Sequence, residues 1–173
     1  MEVAGANRRW RCQFRCRGSR RESAVAQLFS LGHLAMPLFM RGIMIRDLVE
    51  TGGCLAVDLR HILDLFGERA VRSRWRASEV WATGKERGEA AQELDALADG
   101  QTFIAGEHLS RIAHRLVQVI DGEFSAFESG SDLPWLIIRA VDSSFYEVFS
   151  TEPAVLDRVR ASFQKVSDCD YVA

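Results

Sequence analysis

Three arginines spaced two residues apart are the side chains of this sequence best suited to bind an anion. Arg72, Arg74 and Arg76 lie in the segment 70–81, where polar and apolar residues alternate as they do in a β-strand with one solvated face. A row of guanidinium groups on that face could hold a phosphate or an acidic partner. The competing and more common interpretation is a solvated strand face whose arginines only discourage edge pairing.

Two tryptophans, Trp75 and Trp81, are predicted to share the other face of the same strand. Arginine and tryptophan are the residue types most enriched at hot spots of protein interfaces. The segment therefore predicts a binding surface, an idea that loses its support if Trp75, Trp81 and Arg74 are covered by the chain's own helices.

Arg139 is the one charged residue in the apolar run from Trp135 to Val141. Its guanidinium could bind an anion on a central strand, or it could be paired with a carboxylate or reach the sheet edge. Because buried charges are generally paired, the second interpretation is favoured. Arg139 is kept as a further candidate binding residue.

No catalytic signature accompanies these arginines. The sequence has no glycine-rich phosphate-binding motif, no HExxH zinc motif and no GxSxG nucleophile motif. Carboxylates flank the predicted loops and could bind Mg²⁺ or transfer protons, but such residues are more often simply solvated; they are Asp121, Glu123, Asp132 and Asp142. We predict no catalytic residue, no metal and no cofactor.

The cysteines and histidines indicate no metal or nucleophile site either. Cys12 and Cys16 form a C-x3-C pair without a second ligand pair, which is a weak zinc signal. Cys54 and His61 have the residue types of a nucleophile and its base, but their spacing is unpromising, and His61 is expected at the surface or in a helix cap. The four cysteines form no disulfide pattern, which fits a reducing compartment.

The segment 133–150 should position everything else, because it has the pattern of two strands joined by a tight turn. The run from Trp135 to Val141 is apolar on both faces, as in a central strand covered on both sides. Asp142 to Ser144 supplies turn residues, and Phe145 to Phe149 alternates like a strand. With a strand over 123–128 this gives an antiparallel meander, 123–149.

Helices are predicted around this meander from apolar positions three and four residues apart. A helix in two pieces is predicted over 45–66. A second helix should start at a capping box formed by Thr83 and Glu86 and end at Gly100. Two more helices are predicted, one over 107–120 and one that begins after Thr151. The tail, 168–173, is expected to fray. The sequence thus predicts an α+β domain with an antiparallel sheet of about four strands, formed by the meander 123–149 and the strand 70–81, and helices packed on one face.

The first 43 residues differ from the rest of the chain in charge. Residues 1–43 contain eight arginines and two glutamates, a net charge of +6, so residues 44–173 carry −8 of the total of −2. We predict that 1–43 is an extension outside the fold, either upstream of a working start at Met44 or Met40 or an export signal with a loose twin-arginine pattern. We predict that 44–173 is a single domain.

Several function classes are disfavoured by these observations. An acidic body argues against nucleic acid as its partner, and the sequence has no apolar run long enough to span a membrane. The location is predicted to be cytoplasmic, or exported if 1–43 is a signal. The outline resembles many small uncharacterised bacterial domains, a likeness that assigns no functional residue.

The remaining hypotheses are two. The first is a non-catalytic protein-interaction module with another protein as partner. The second is a small enzyme or binding protein for an anionic, phosphorylated small molecule held by strand arginines.

Overall fold

The computed structural model describes residues 40–50, 54–85 and 88–171 of the chain. Within this part the strands are β1 (Arg41–Ile45), β2 (Arg74–Gly84), β3 (Ile104–Ala105), β4 (Leu116–Phe127), β5 (Leu136–Val141), β6 (Phe145–Ser150) and β7 (Val166–Asp170). The helices are α1 (Leu59–Phe66), α2 (Glu68–Arg72), α3 (Glu89–Asp99), α4 (Gly106–Arg115) and α5 (Pro153–Ser162).

The strands form one sheet in the order β3-β2-β4-β5-β6-β1-β7, with every neighbouring pair antiparallel. The predicted α+β class and antiparallel sheet are confirmed. The predicted number of about four strands is wrong, because β1, β3 and β7 join the sheet and raise the number to seven.

The hairpin of β5 and β6 lies near the middle of the sheet, as expected. Ile137 pairs with Phe149 and Val141 with Phe145, and the turn between them places Asp142 and Ser143 at positive φ. β5 has neighbours on both edges, β4 and β6, and it is buried on both faces. The main core covers one face, with the side chains of Ile138, Tyr146 and Val148 among its members.

All five helices contribute side chains to that main core. The opposite face carries only a small apolar cluster, in which the buried Met40, Ile137 and Phe149 contact Cys169 and Tyr171. No described helix contributes to this second cluster. We call this side of the sheet the helix-free face.

The longest strand, β4, replaces part of a predicted helix. The helix predicted over 107–120 ends at Arg115, and the strand predicted over 123–128 begins already at Leu116. β4 pairs with β2 along one edge from Leu116 to Phe127, and with β5 along the other edge only from Gly122 to Ala126, so the residues taken from the predicted helix are held by β2. Val117, Val119 and Ile120 are β-branched and suit this extended conformation.

The strand predicted over 70–81 is displaced towards the C-terminus. Residues 68–72 form α2, and β2 runs from Arg74 to Gly84. Thr83 is therefore a strand residue, and the predicted capping box is wrong: α3 begins at Glu89 after Gly88.

Both ends of the described chain also differ from expectation. Among the described residues of 45–66, α1 is the only helix, and β1 includes Arg41 to Ile43, which were assigned to the extension. Residues 168–170, expected to fray, belong to β7. The predictions for residues 1–39, including the pair Cys12 and Cys16, lie outside the described residues and stay predictions.

Candidate interaction surface

Cross-strand pairs define which side chains meet on the helix-free face. Side chains opposite each other in a ladder point to the same face of the sheet. The ladders pair Arg76 with Ser125, Ser78 with Glu123, Glu123 with Arg139, and Arg139 with Glu147. A polar band therefore crosses the sheet from β2 to β6.

Arg74 and Arg76 lie at the β2 end of this band and stack on an aromatic ring. Their guanidinium carbons are 4.3 and 4.4 Å from the centre of the Phe103 ring, and Phe103 in turn makes an edge contact with Phe127. Arg74 also donates to the carbonyl of Ser131. Neither arginine is within ion-pair distance of a carboxylate in the described part of the chain.

The other residues predicted for this surface lie in different parts of the fold. Arg72 lies in α2, where it forms an exposed ion pair with Glu68. Trp75 is fully buried in the main core and donates its indole N–H to the carbonyl of Ala70, so its side chain cannot contact a partner. Trp81 is 62% exposed. The structure thus brings Arg74 and Arg76 together and leaves Trp81 accessible further along β2.

A β-bulge explains why Trp81 and Trp75 point to opposite faces despite their even spacing. The register of β2 against β4 shifts between Ser78 and Trp81, and Glu79 lies in this interval with φ of 52°. An extra residue in a strand reverses the alternation of the side chains that follow it. The bulge therefore turns Trp81 away from the core.

Arg139 lies at the centre of the polar band between two carboxylates. Its guanidinium is 2.8 Å from Glu123 and 3.6 Å from Glu147, and it lies over the Tyr171 ring at 5.1 Å. Burial acts to lower the pKa of Arg139, but the hydrogen bond and charge of Glu123 outweigh it and the pKa is raised. This is the paired arrangement favoured from the sequence, and it neutralises much of the charge of Arg139.

Two open cavities occupy the same face. One, of about 680 Å³, is lined by residues that include Arg76, Asp95 and Asp99, and the other, of about 650 Å³, by residues that include Arg139 and Tyr171. Ser78, Glu79 and Glu123 line both. The two cavities are therefore neighbours, and each lies beside an arginine.

His61, which was considered as a catalytic base, has a structural role. His61 accepts a hydrogen bond from the Asp58 backbone N–H through Nδ1 and completes a capping box for α1, and burial lowers its pKa. Burial and nearby carboxylates raise the pKa of Cys169 to about 11, which keeps it a thiol at neutral pH. The described residues contain no group of three or more side chains able to hold a metal ion.

Phe103 and Tyr171 are part of this surface, but sequence reasoning missed them. Phe103 falls between two predicted helices, and Tyr171 lies in the tail that is expected to fray. Their positions depend on contacts with residues distant in the chain, Arg74 and Phe149 among them. No local periodicity signals such contacts.

Comparisons with known proteins identify no relative: no family model matches the chain, and neither a curated protein nor a solved structure is significantly similar to it. Over the described residues, none of the helices has the length and apolar character that crossing a bilayer requires.

Proposed function

We propose that this protein is a non-catalytic interaction module that binds another protein through the β2 side of its helix-free face. The contact residues are Arg74, Arg76, Phe103 and Trp81. The observation that carries the proposal is the pair Arg74 and Arg76, which lack carboxylate partners among the described residues and are held in place by stacking on Phe103.

Stacking prepares these two arginines for binding. A guanidinium that lies on an aromatic ring has lost part of its side-chain freedom before a partner arrives, which lowers the entropic cost of association. Its N–H groups remain available for a carboxylate of the partner. Phe103 is itself 40% exposed and Trp81 is 62% exposed, so apolar area for contact lies beside the charges.

The test compares variants of this surface with a control variant, by in-cell crosslinking and mass spectrometry. We expect Arg74→Glu/Arg76→Glu and Trp81→Ala to lose the crosslinked partner that the wild-type chain captures. The control, Arg111→Glu/Arg158→Glu, makes the same change in net charge at two exposed arginines on α4 and α5 and should retain it. Equal capture by both double variants would contradict the proposal.

The alternative is binding of an anionic small molecule at the same arginines. Its support is the exposure of Arg74 and Arg76, which have no carboxylate partner among the described residues; the adjoining cavity of about 680 Å³ has the size of a ligand pocket, but its lining is mainly acidic. A titration with inorganic phosphate, followed by NMR at the arginine Nε–H groups, tests it. A saturable shift at Arg76 that disappears in Arg76→Gln would support a small-molecule site.

A further inference from the structure

The larger cavity of the helix-free face extends around an edge of the sheet. Five consecutive residues of β2, Arg76 to Val80, line it. Successive side chains of a strand point to opposite faces, so a cavity that contacts all five must run along the backbone edge of the strand. Ala77 illustrates this, because it lines the cavity although its side chain belongs to the main core.

The hydrogen bonds around β2 show which backbone groups face this cavity. The carbonyl of Ser73 accepts from the N–H of Gly106 at 3.0 Å, and Trp75 pairs with Ile104 of β3, so odd-numbered residues here direct their backbone groups away from β4. Ala77 is the next residue of this series. β3 ends its pairing with β2 at Trp75, and no described residue forms a hydrogen bond with the Ala77 backbone on that edge.

The walls of the cavity are mainly acidic. Asp95 and Asp99 of α3 lie on one side, and Glu79 and Glu123 lie on the sheet side, whereas Arg76 is the one arginine among the described lining residues. Both aspartates are exposed and have no ion-pair partner among the described residues. The bulge at Glu79 ends the regular part of the free edge of β2. An added strand could therefore pair in regular register over only about three residues.

We propose that an extended, basic segment of the partner protein adds to the free edge of β2 at Ala77. The Ala77 backbone N–H and C=O would hydrogen-bond with the segment, and its lysine or arginine side chains would reach Asp95 and Asp99. Strand addition of this kind takes affinity from main-chain bonds and specificity from side chains. The inference rests on the proposed function, since it names the part of the partner that binds beside Arg74 and Arg76.

Amide hydrogen exchange tests the premise on the full chain. We expect the Ala77 N–H to exchange roughly 100-fold faster than those of Arg76 and Ser78, which face β4. Equal protection of all three amides would show that α3 closes the edge, and it would overturn the proposal.

A pair of capped octapeptides tests the charge and extension of the segment. An alternating lysine–threonine peptide should shift the Ala77 amide resonance in a saturable manner and slow its exchange, and a glutamate–threonine peptide should not. Asp95→Lys/Asp99→Lys should weaken binding of the lysine peptide at least tenfold, whereas Glu107→Lys/Asp132→Lys, which changes the net charge equally, should leave it unchanged. Absence of binding, or equal binding of the two peptides, would overturn the inference.

The two proposals fail in different ways. If partner capture in cells is lost in Arg74→Glu/Arg76→Glu but retained in Asp95→Lys/Asp99→Lys, the interaction module stands and the strand addition falls. If neither variant changes the captured proteins while the lysine peptide still binds at Ala77, the arginine surface falls and the edge site stands alone.

Discussion

Arg69 joins three separate segments of the fold at the residue scale. From α2 its guanidinium lies 3.8 Å from the centre of the Trp135 ring, forms two hydrogen bonds with Glu152 at the start of α5, and donates a third to Glu128 in the loop after β4. A planar guanidinium can make this set of contacts, whereas a lysine ammonium cannot.

We therefore expect Arg69→Lys to be destabilising although it keeps the charge. Loss of the fork and of the stacking on Trp135 should reduce the free energy of unfolding by roughly 1–2 kcal/mol, a modest figure because the site is partly exposed. Urea denaturation measures this. Arg158→Lys, at an exposed position of α5, is the control, and an equal effect of both changes would contradict the role of Arg69.

The same contact predicts a pH dependence. The hydrogen bond from Arg69 lowers the pKa of Glu152 below its ordinary value. A carboxyl whose pKa is lower in the folded state stabilises the fold above its unfolded pKa of about 4.3, and this contribution disappears as the pH falls through the folded pKa. The difference in unfolding free energy between wild type and Glu152→Gln should be present at pH ~7 and should shrink as the pH falls below ~4 through the lowered pKa of Glu152. A difference that grows on acidification would refute this assignment.

Gly42 allows a close approach that no other residue permits. A Cβ at this position would lie 2.3 Å from Phe149 and 2.8 Å from the Cys169 sulfur. Gly42→Ala should cost about 1–3 kcal/mol through overpacking. Gly100→Ala is the matched control, because Gly100 has φ of −68° and its nearest contact would be 3.4 Å away, so thermal denaturation should show little change. Similar midpoints for both variants would contradict the close packing at Gly42.

At the scale of elements, β1 determines how much of the N-terminal sequence the described sheet requires. Ile43 and Ile45 are fully buried, and β1 has a partner strand on each edge. A chain that starts at Met40 keeps the whole strand, whereas one that starts at Met44 loses the burial of Ile43 and three residues of both ladders.

We expect the chain that starts at Met44 to unfold at a clearly lower temperature than the one that starts at Met40. Loss of a buried isoleucine alone costs about 2–5 kcal/mol when it is truncated to alanine. Circular dichroism during heating compares the two chains. Indistinguishable midpoints would show that β1 is dispensable.

The elements that were foreseen are those with strong local patterns. The β5–β6 hairpin combines an apolar run, turn residues and alternation, and α1 has an unbroken apolar stripe that ends before Gly67. β1 and β7 were missed because they are short, and β7 is polar, with Ser167, Asp168 and Asp170. Such a strand is held by its neighbour rather than by its own periodicity.

The candidate interaction surface was also predicted only in part from the sequence. Alternation correctly placed Arg74 and Arg76 together on one face of β2, but the helical turn of α2 removed Arg72 from the row. The same alternation assigned Trp75 and Trp81 to one face, and the bulge at Glu79 separates them. A bulge is determined by pairing with β4, so a single strand's sequence does not reveal it.

At the scale of the whole molecule, the two faces of the sheet differ in what they contribute to stability and to binding. One face forms the main core with the five helices, and so provides most of the apolar burial that stabilises the fold. The other face is free to carry charged and aromatic groups, among them Arg76, Arg139 and Phe103. The division explains how a small domain can expose Arg74 and Arg76, which have no ion-pair partner among the described residues, without loss of its core.

The position of β1 also has a consequence for synthesis. β1 lies between β6 and β7, whose paired residues follow it by roughly 100 positions or more along the chain. While the ribosome is still translating, the first described strand has no edge to join, and its two buried isoleucines stay exposed to water. The sheet can be completed only when the last strand has left the exit tunnel, so β1 is open to pairing with other chains for most of synthesis.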